Sequence, residues 1–448
     1  MEAIATFIAW FFEFKAFVML PVIFLLIAAT ARMRPGAAFA NALKIGAGFA
    51  GIFMIFDAFL GMLRPAIASM VASRGLDFPV VDAGWPPLAA ITWSSWIAPV
   101  VILLVIGINI AMLVLKTTTV LYIDIWNYWH FALIASMLLA VGVHPVFALA
   151  GAAFSAVLVI KTTEWSAPYV KRETGVEGIA VSPLTVSGFL PWAALVDRVL
   201  DSIPGIRSLK WDPSRGSSRW AKAGDPMIVG FALGLLLGFL AGYRVKETAE
   251  LAVKIAAVMF VLPRCGGIIG EGTGAISLAV QKRLAPLFGG RRILISMDTG
   301  FLMTNASVVV TGLALMPLSL LIAFILPGNK VLPAGDLPNL MSILSVITIV
   351  CGGNVFRAVI AAVPVIVAFL LVATRIAPLI TELAAKAGAL ESAGAVTVSS
   401  FTDGGNPLRW WIFELFRGNL VAVGLLVPIG LLFWYAARRS RRVAKEGD

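Results

Sequence analysis

The strongest constraint on this chain is a recurrence of nearly uncharged apolar stretches, each close to the ~20 residues that an α-helix needs to cross hydrocarbon. They run roughly from Ala16 to Thr30, from Ile45 to Leu63, through Trp85 to Leu115, up to Val143 and up to Ile160, and they resume after Asp225. Barrel strands would instead read as alternating segments of ~10 residues, which this sequence lacks. With 60% hydrophobic and 13% charged residues and a mean hydropathy of +0.95, a soluble globular chain is excluded. The fold class expected is an all-α polytopic membrane protein. A net charge of +11 would suggest nucleic acid in a soluble chain. Here the basic residues fall at helix ends and in particular loops, which is a topology signal, so no nucleic-acid partner is expected. Two histidines and two cysteines without CxxC spacing argue against a metal site or disulfide framework. No GxSxG or phosphate-cradling loop is present, so no catalytic nucleophile and no cofactor are read. Met1–Lys15 does not read as a cleavable signal peptide.

The apolar pattern occurs twice. Lys44-Ile45 is answered by Lys254-Ile255, Asp82-Ala83-Gly84 by Asp298-Thr299-Gly300, Asp124 by Asp336, and Gly142-Val143-His144 by Gly352-Gly353-Asn354, at offsets of 210, 216, 212 and 210 residues. Such near-constant spacing indicates an internal repeat. The divisions expected are a first transmembrane repeat over 1–162, a cytoplasmic amphipathic linker over 163–225, a second repeat over 226–376, and an amphipathic segment, last span and basic tail over 377–448. Five spans per repeat would invert the second half relative to the first, a plan common in transporters. One further helix makes about eleven. The proline-punctuated stretch from Trp85 suggests re-entrant or broken pieces, tolerated at membrane depth only where they line a protein cavity. With the Arg438–Arg442 tail cytoplasmic, the N-terminus lies outside, and inner loops then carry about two thirds of the 35 Lys and Arg.

The densest polar cluster is Ile123-Asp124-Ile125-Trp126-Asn127-Tyr128-Trp129-His130. Unpartnered polar groups beside hydrocarbon cost several kcal/mol each, so this window serves either a ligand or a tight structural junction. On a helix, Asp124, Asn127 and Tyr128 share a face, and Asn127 neighbours His130. Paired donors and acceptors suit polyol hydroxyls, and aromatic rings suit the apolar faces of a carbon chain. Asp82 and Asp298 each stand two residues before a glycine, and Asp336 stands before Leu337-Pro338. Each reads equally as a helix cap or as a site carboxylate. Trp85, Glu271 of the glycine-flanked Gly270–Gly274 run, and the amides Asn305 and Asn354 complete the candidate substrate-binding set of Asp82, Trp85, Asp124, Asn127, His130, Glu271, Asp298, Asn305, Asp336 and Asn354.

Five segments carry a family likeness: Gly84-Trp85-Pro86, the Ile123–Phe131 run, Gly224-Asp225-Pro226-Met227, Leu326–Pro333 and Gly353-Asn354-Val355-Phe356-Arg357. Together they resemble the galactitol-type enzyme IIC of the bacterial phosphoenolpyruvate-dependent sugar phosphotransferase system. That resemblance implies an inner-membrane permease that holds a sugar alcohol while a separate IIB protein, charged by IIA, phosphorylates it from a phosphocysteine. It also implies a homodimer in membrane lipid, with a core domain moving as an elevator against a scaffold. The chain departs from the pattern at Cys265–Gly274 and Ile293–Ser307, leaving galactitol, another pentitol or hexitol, or a sugar acid open as substrate. The alternative reading is an ion-coupled secondary transporter of the same fold, with Asp124, Asp336 or Glu271 binding the coupling ion.

Overall fold

The structure, a computed structural model, describes residues 10–446 apart from 12–13, 15, 75–77, 83, 86–87, 90–91, 93–94, 216–225, 285–292, 334–335 and 387–396. It is mostly helical, and the order of elements repeats. The first pass contains α1 (Ala16–Thr30), α2 (Pro35–Arg74), β1 (Val80–Asp82), α3 (Ile97–Val114), β2 (Val120–Leu121), a 3₁₀ turn (Ile125–Tyr128), α4 (Trp129–Ala140), α5 (Pro145–Thr174) and β3 (Ile179–Val181). An amphipathic helix α6 (Leu190–Asp201) then leads to the second pass. That pass contains α7 (Pro226–Leu240), α8 (Val245–Leu284), β4 (Leu294–Met297), a 3₁₀ turn (Thr299–Thr304), α9 (Ala306–Ile325), β5 (Val331–Leu332) and a 3₁₀ turn (Leu337–Asn339). It closes with α10 (Leu340–Val350), α11 (Val355–Lys386) and β6 (Thr397–Ser399). After it come α12 (Pro407–Phe416) and α13 (Leu420–Glu446).

Among the described residues, four helices are long and apolar enough to span a bilayer: α5, α9, α11 and α13. Shorter apolar helices occupy Val100–Val114, Trp129–Ala140, Gly230–Leu240 and Leu340–Val350. The turns repeat as closely as the helices. After α1, Met33 N donates to Ala28 O at 3.0 Å, and after α7, 210 residues later, Tyr243 N donates to Gly238 O at 3.0 Å. The bond from the amide two residues beyond the helix end to the carbonyl five back is the Schellman closure, which needs a left-handed residue. Gly242 supplies it in the second half, and Arg32 (φ 54°) takes the same strained conformation in the first.

Strand exchange joins the halves. One parallel sheet has the order β5-β1-β6 and the other β2-β4-β3. Each sheet therefore places one strand of one half between two strands of the other, so neither half completes a sheet alone. Backbone groups of these short strands would be unsatisfied in hydrocarbon, and pairing across the halves removes that penalty. Around them α2 and α8 run antiparallel, each 40 residues and so about 60 Å long at 1.5 Å per residue. Their close approach depends on Gly272, where a Cβ would lie 2.6 Å from Asn41 O. With the shorter α1 and α7, 15 residues each, they form one helix group.

Candidate functional site

Each sheet ends in a carboxylate centre. In the first, Asp124 precedes the 3₁₀ turn and Ser182 immediately follows β3. Ser182 Oγ donates to Asp124 Oδ2, which also accepts from Asn127 Nδ2 at 2.7 Å. The same amide donates to Asp298 Oδ2 at 3.0 Å, so Asn127 ties a carboxylate of the first half to one of the second. Ser296, on β4, accepts from the amides of Ile123 (2.9 Å) and Asp124 (3.3 Å). Asp298 Oδ1 caps its own turn through Thr299 N at 2.5 Å. Tyr128 is fully committed to structure, its hydroxyl donating to Tyr122 O at 2.5 Å.

The second centre has the same plan. Asp336 precedes the matching 3₁₀ turn, and Ser400, immediately after β6, donates from Oγ to Asp336 Oδ2. Asp336 Oδ1 accepts from Trp85 N at 2.7 Å. Asp82, the last residue of β1, accepts from Gly84 N (3.1 Å), Phe401 N (2.9 Å) and Asp336 N (2.9 Å). Strand register pairs Val80 with Val331 and Leu294 with Val120, and Ser296 accepts from the Asp124 amide as Asp82 does from that of Asp336, which makes Ser296 the hydrogen-bonding counterpart of Asp82. Asp298 lies two residues further on. The equivalence of Asp82 with Asp298 suggested by the Asp-x-Gly spacing is therefore shifted, because the strands and not the glycines set the alignment.

His130 stands one turn beyond Asn127, 2% exposed, with Arg409 Nη2 2.7 Å from its Nδ1. A guanidinium only donates, so Nδ1 accepts and the ring carries its proton on Nε2. Arg409 Nη1 donates to Asp403 O, the guanidinium lies over the Trp129 ring at 5.5 Å, and Asp403 Oδ1 is 3.7 Å from His130 Nδ1. Asn339 links this cluster to the second centre, its amide 3.3 Å from Asp403 Oδ2. The polar interior is thus assembled from residues 82, 84, 85, 124, 127–130, 182, 296–299, 336–339 and 400–409.

Among the residues singled out in the sequence, Asp82, Trp85 (through its backbone), Asp124, Asn127, His130, Asp298 and Asp336 are brought together. Asn305 caps α9 by accepting from Val308 N at 3.2 Å, and its amide donates to Glu173 O at 3.2 Å. Asn354 donates to Leu209 O at 2.8 Å, joining α11 to the segment after α6. Glu271 lies on an exposed part of α8 and pairs with Lys44 of α2 at 2.9 Å. Two glycines of the same helix face the turn after Asp298, Gly270 next to Phe301 and Gly267 next to Thr304, whereas Gly272 packs against α2.

Sequence reasoning missed Ser182, Ser296, Ser400, Asp403, Asn406 and Arg409. A signal existed for Ser400, Asp403 and Asn406: Ser399-Ser400-Phe401-Thr402-Asp403-Gly404-Gly405-Asn406-Pro407 is as polar as the Asp124 window and ends in an Asn-Pro helix start.

Comparison with known proteins agrees with this architecture. Residues 10–394 match the family EIIC-GAT, the PTS system sugar-specific permease component. The galactitol-specific EIIC component of the PTS system from Escherichia coli strain K12 is 36% identical over 434 residues, covering 96% of this chain and 95% of that protein. The same component from Escherichia coli O157:H7 has the same identity and coverage. A putative permease IIC component of Escherichia coli K12 is 32% identical over 415 residues, or 93% of this chain and 94% of that one. A helical membrane chain whose family match runs through both strand-exchanged halves belongs to the sugar-specific permease components of the phosphotransferase system.

Proposed function

We propose that this chain is a galactitol-type permease component. It binds galactitol or a closely related polyol at the buried junction of the two halves and presents it for phosphorylation by a separate IIB protein, itself recharged by IIA. The observation that carries this reading is the Asp124–Asn127–Asp298 bridge. It is a buried run of acceptors and donors contributed by both halves, chemically matched to vicinal hydroxyls. Phosphorylation, which adds a charge of about −1.5 to −2, would make the product repel a site lined by carboxylates and so favour release. The chain supplies binding and transport and no nucleophile of its own, and it uses no metal or cofactor.

The movement is of the elevator type, with the strand-linked core carrying the polyol past the helix group α1, α2, α7 and α8. The glycine-lined face of α8 against the Phe301–Thr304 turn supports this, since small residues leave few interlocking side chains to resist sliding. About eleven spans, in two inverted five-helix repeats and a last helix, put the N-terminus outside and the basic C-terminal tail in the cytoplasm of a bacterial inner membrane. The 163–225 segment lies on the cytoplasmic side, and the functional unit is a homodimer. Glu271, Asn305 and Asn354 belong to the moving parts or to the route of entry and not to the central junction.

Radiolabelled galactitol uptake tests the reading in vesicles holding the chain alone and then with IIB, IIA and charged carrier proteins inside. Sugar phosphate accumulating only in the full mixture supports it. Concentrative uptake of unmodified polyol by the chain alone, driven by an ion gradient, would refute it and make the carboxylates coupling-ion ligands.

A further inference from the structure

Among the described residues, Asp403 Oδ1 is the one buried carboxylate oxygen that receives no hydrogen bond. Such an atom in a native interior calls for an explanation, since an unsatisfied buried acceptor is costly. Its surroundings narrow the choice. Both oxygens of Asp82, Asp336 and Asp298 accept from backbone or side-chain donors. Two donors also converge on Asp124 Oδ2. Asp403 is held at its other oxygen by Thr402 Oγ1 and Asn339 Nδ2, each at 3.3 Å, its carboxylate also meets the Thr185 hydroxyl, and Oδ1 lies 3.9 Å from Arg409 Nη2, within ion-pair reach but without a hydrogen bond. It is 2% exposed, and the same helix start carries two further buried groups without partners, Asn406 Nδ2 and Arg409 Nε. Asp403 and Arg409, which carry one such acceptor and one such donor, both meet His130, whose Nδ1 is already taken by Arg409 and cannot accept a second proton there.

Building on the polyol reading above, we propose that Asp403 is the proton acceptor in the phosphorylation of the bound polyol. The attacking hydroxyl oxygen forms the new O–P bond, and the S–P bond of the S-phosphocysteine donor breaks. The thiolate leaves with the electron pair, and the hydroxyl proton passes to Asp403 Oδ1. Arg409 is a positioning residue. It keeps His130 from competing as the base and fixes the Asp403 main chain through the Nη1 bond to Asp403 O. Asn406 offers its free amide to a neighbouring hydroxyl.

The test compares wild type, Asp403→Asn and Asp403→Glu as purified full chains, with galactitol binding measured by equilibrium dialysis and turnover measured with the complete phosphoryl-donor chain. Asp403→Asn is expected to bind galactitol within about threefold of wild type, while turnover falls about 100- to 10,000-fold, the range for loss of a general base. The acid limb of its pH–rate profile should disappear, and Asp403→Glu should recover part of the rate together with that limb. Asp403→Asn turnover within threefold of wild type would overturn the assignment. So would parallel loss of binding and turnover in both variants, which would make Asp403 structural. If Asp403→Asn does not fold, the assignment rests on Asp403→Glu, and a rate that is unchanged from wild type across pH would overturn it. Wild type failing to bind galactitol or any tested polyol is a different failure, since it removes the polyol reading first.

Discussion

Asp82 offers the sharpest test of how the strand exchange is held. Its carboxylate accepts three backbone amides from three segments: Gly84 beyond β1, Phe401 beyond β6 and Asp336 beyond β5. Asp336 and Phe401 are fully buried, so solvent does not replace the bonds. Each buried amide left unsatisfied costs about 1–3 kcal/mol. Asp82→Ala orphans all three and should destabilise the protein by roughly 2–6 kcal/mol if partial relaxation rescues one of them. Asp82→Asn keeps the oxygen that receives Gly84 and Phe401 but turns an amide donor toward Asp336 N–H, so about 1–3 kcal/mol is expected. Equilibrium unfolding of the detergent-solubilised protein reads both values, and galactitol binding measured on the folded fraction separates stability from affinity. An Asp82→Ala protein within about 1 kcal/mol of wild type would refute the argument, because it would mean that the three amides find other partners.

Asn127→Ala removes the donor shared by Asp124 and Asp298, and galactitol affinity should fall at least about tenfold, the equivalent of one lost hydrogen bond; an unchanged dissociation constant would take Asn127 out of the site. Gly312→Ala on α9 puts a Cβ 2.6 Å from the Met341 Cα, a backbone approach that no rotamer change relieves, so thermal unfolding should show a loss of about 1–3 kcal/mol. Gly107→Ala on α3 is the control. Its Cβ meets nothing within 4 Å, and a stability gain of up to about 1 kcal/mol is expected from helix propensity. Glu271→Gln breaks only an exposed pair with Lys44 and should change stability by less than about 1 kcal/mol; a large loss of galactitol binding in that variant would place Glu271 in the polyol cavity.

Much of the membrane character was legible in one dimension, because spanning helices must satisfy their own backbone and so write themselves as long apolar runs. The spacing between Lys44 and Lys254 is the spacing between the starts of α2 and α8, since each lysine stands at the same distance from the start of its helix. Asp124 and Asn127 stood out for a local reason, three residues apart in an apolar context. What only the tertiary structure decided is which carboxylates meet and which lone pairs stay free. Asp82 and Phe401 are 319 residues apart, and Asn127 and Asp298 are 171 apart. No local pattern encodes those contacts, which exist because short strands from opposite halves pair to satisfy one another's backbone. The same pairing moved the counterpart of Asp82 from Asp298 to Ser296, and it set Asp403, His130 and Arg409 side by side. Composition and periodicity report what each segment buries, whereas the chemistry of a site depends on the partners that long-range closure brings to each buried group.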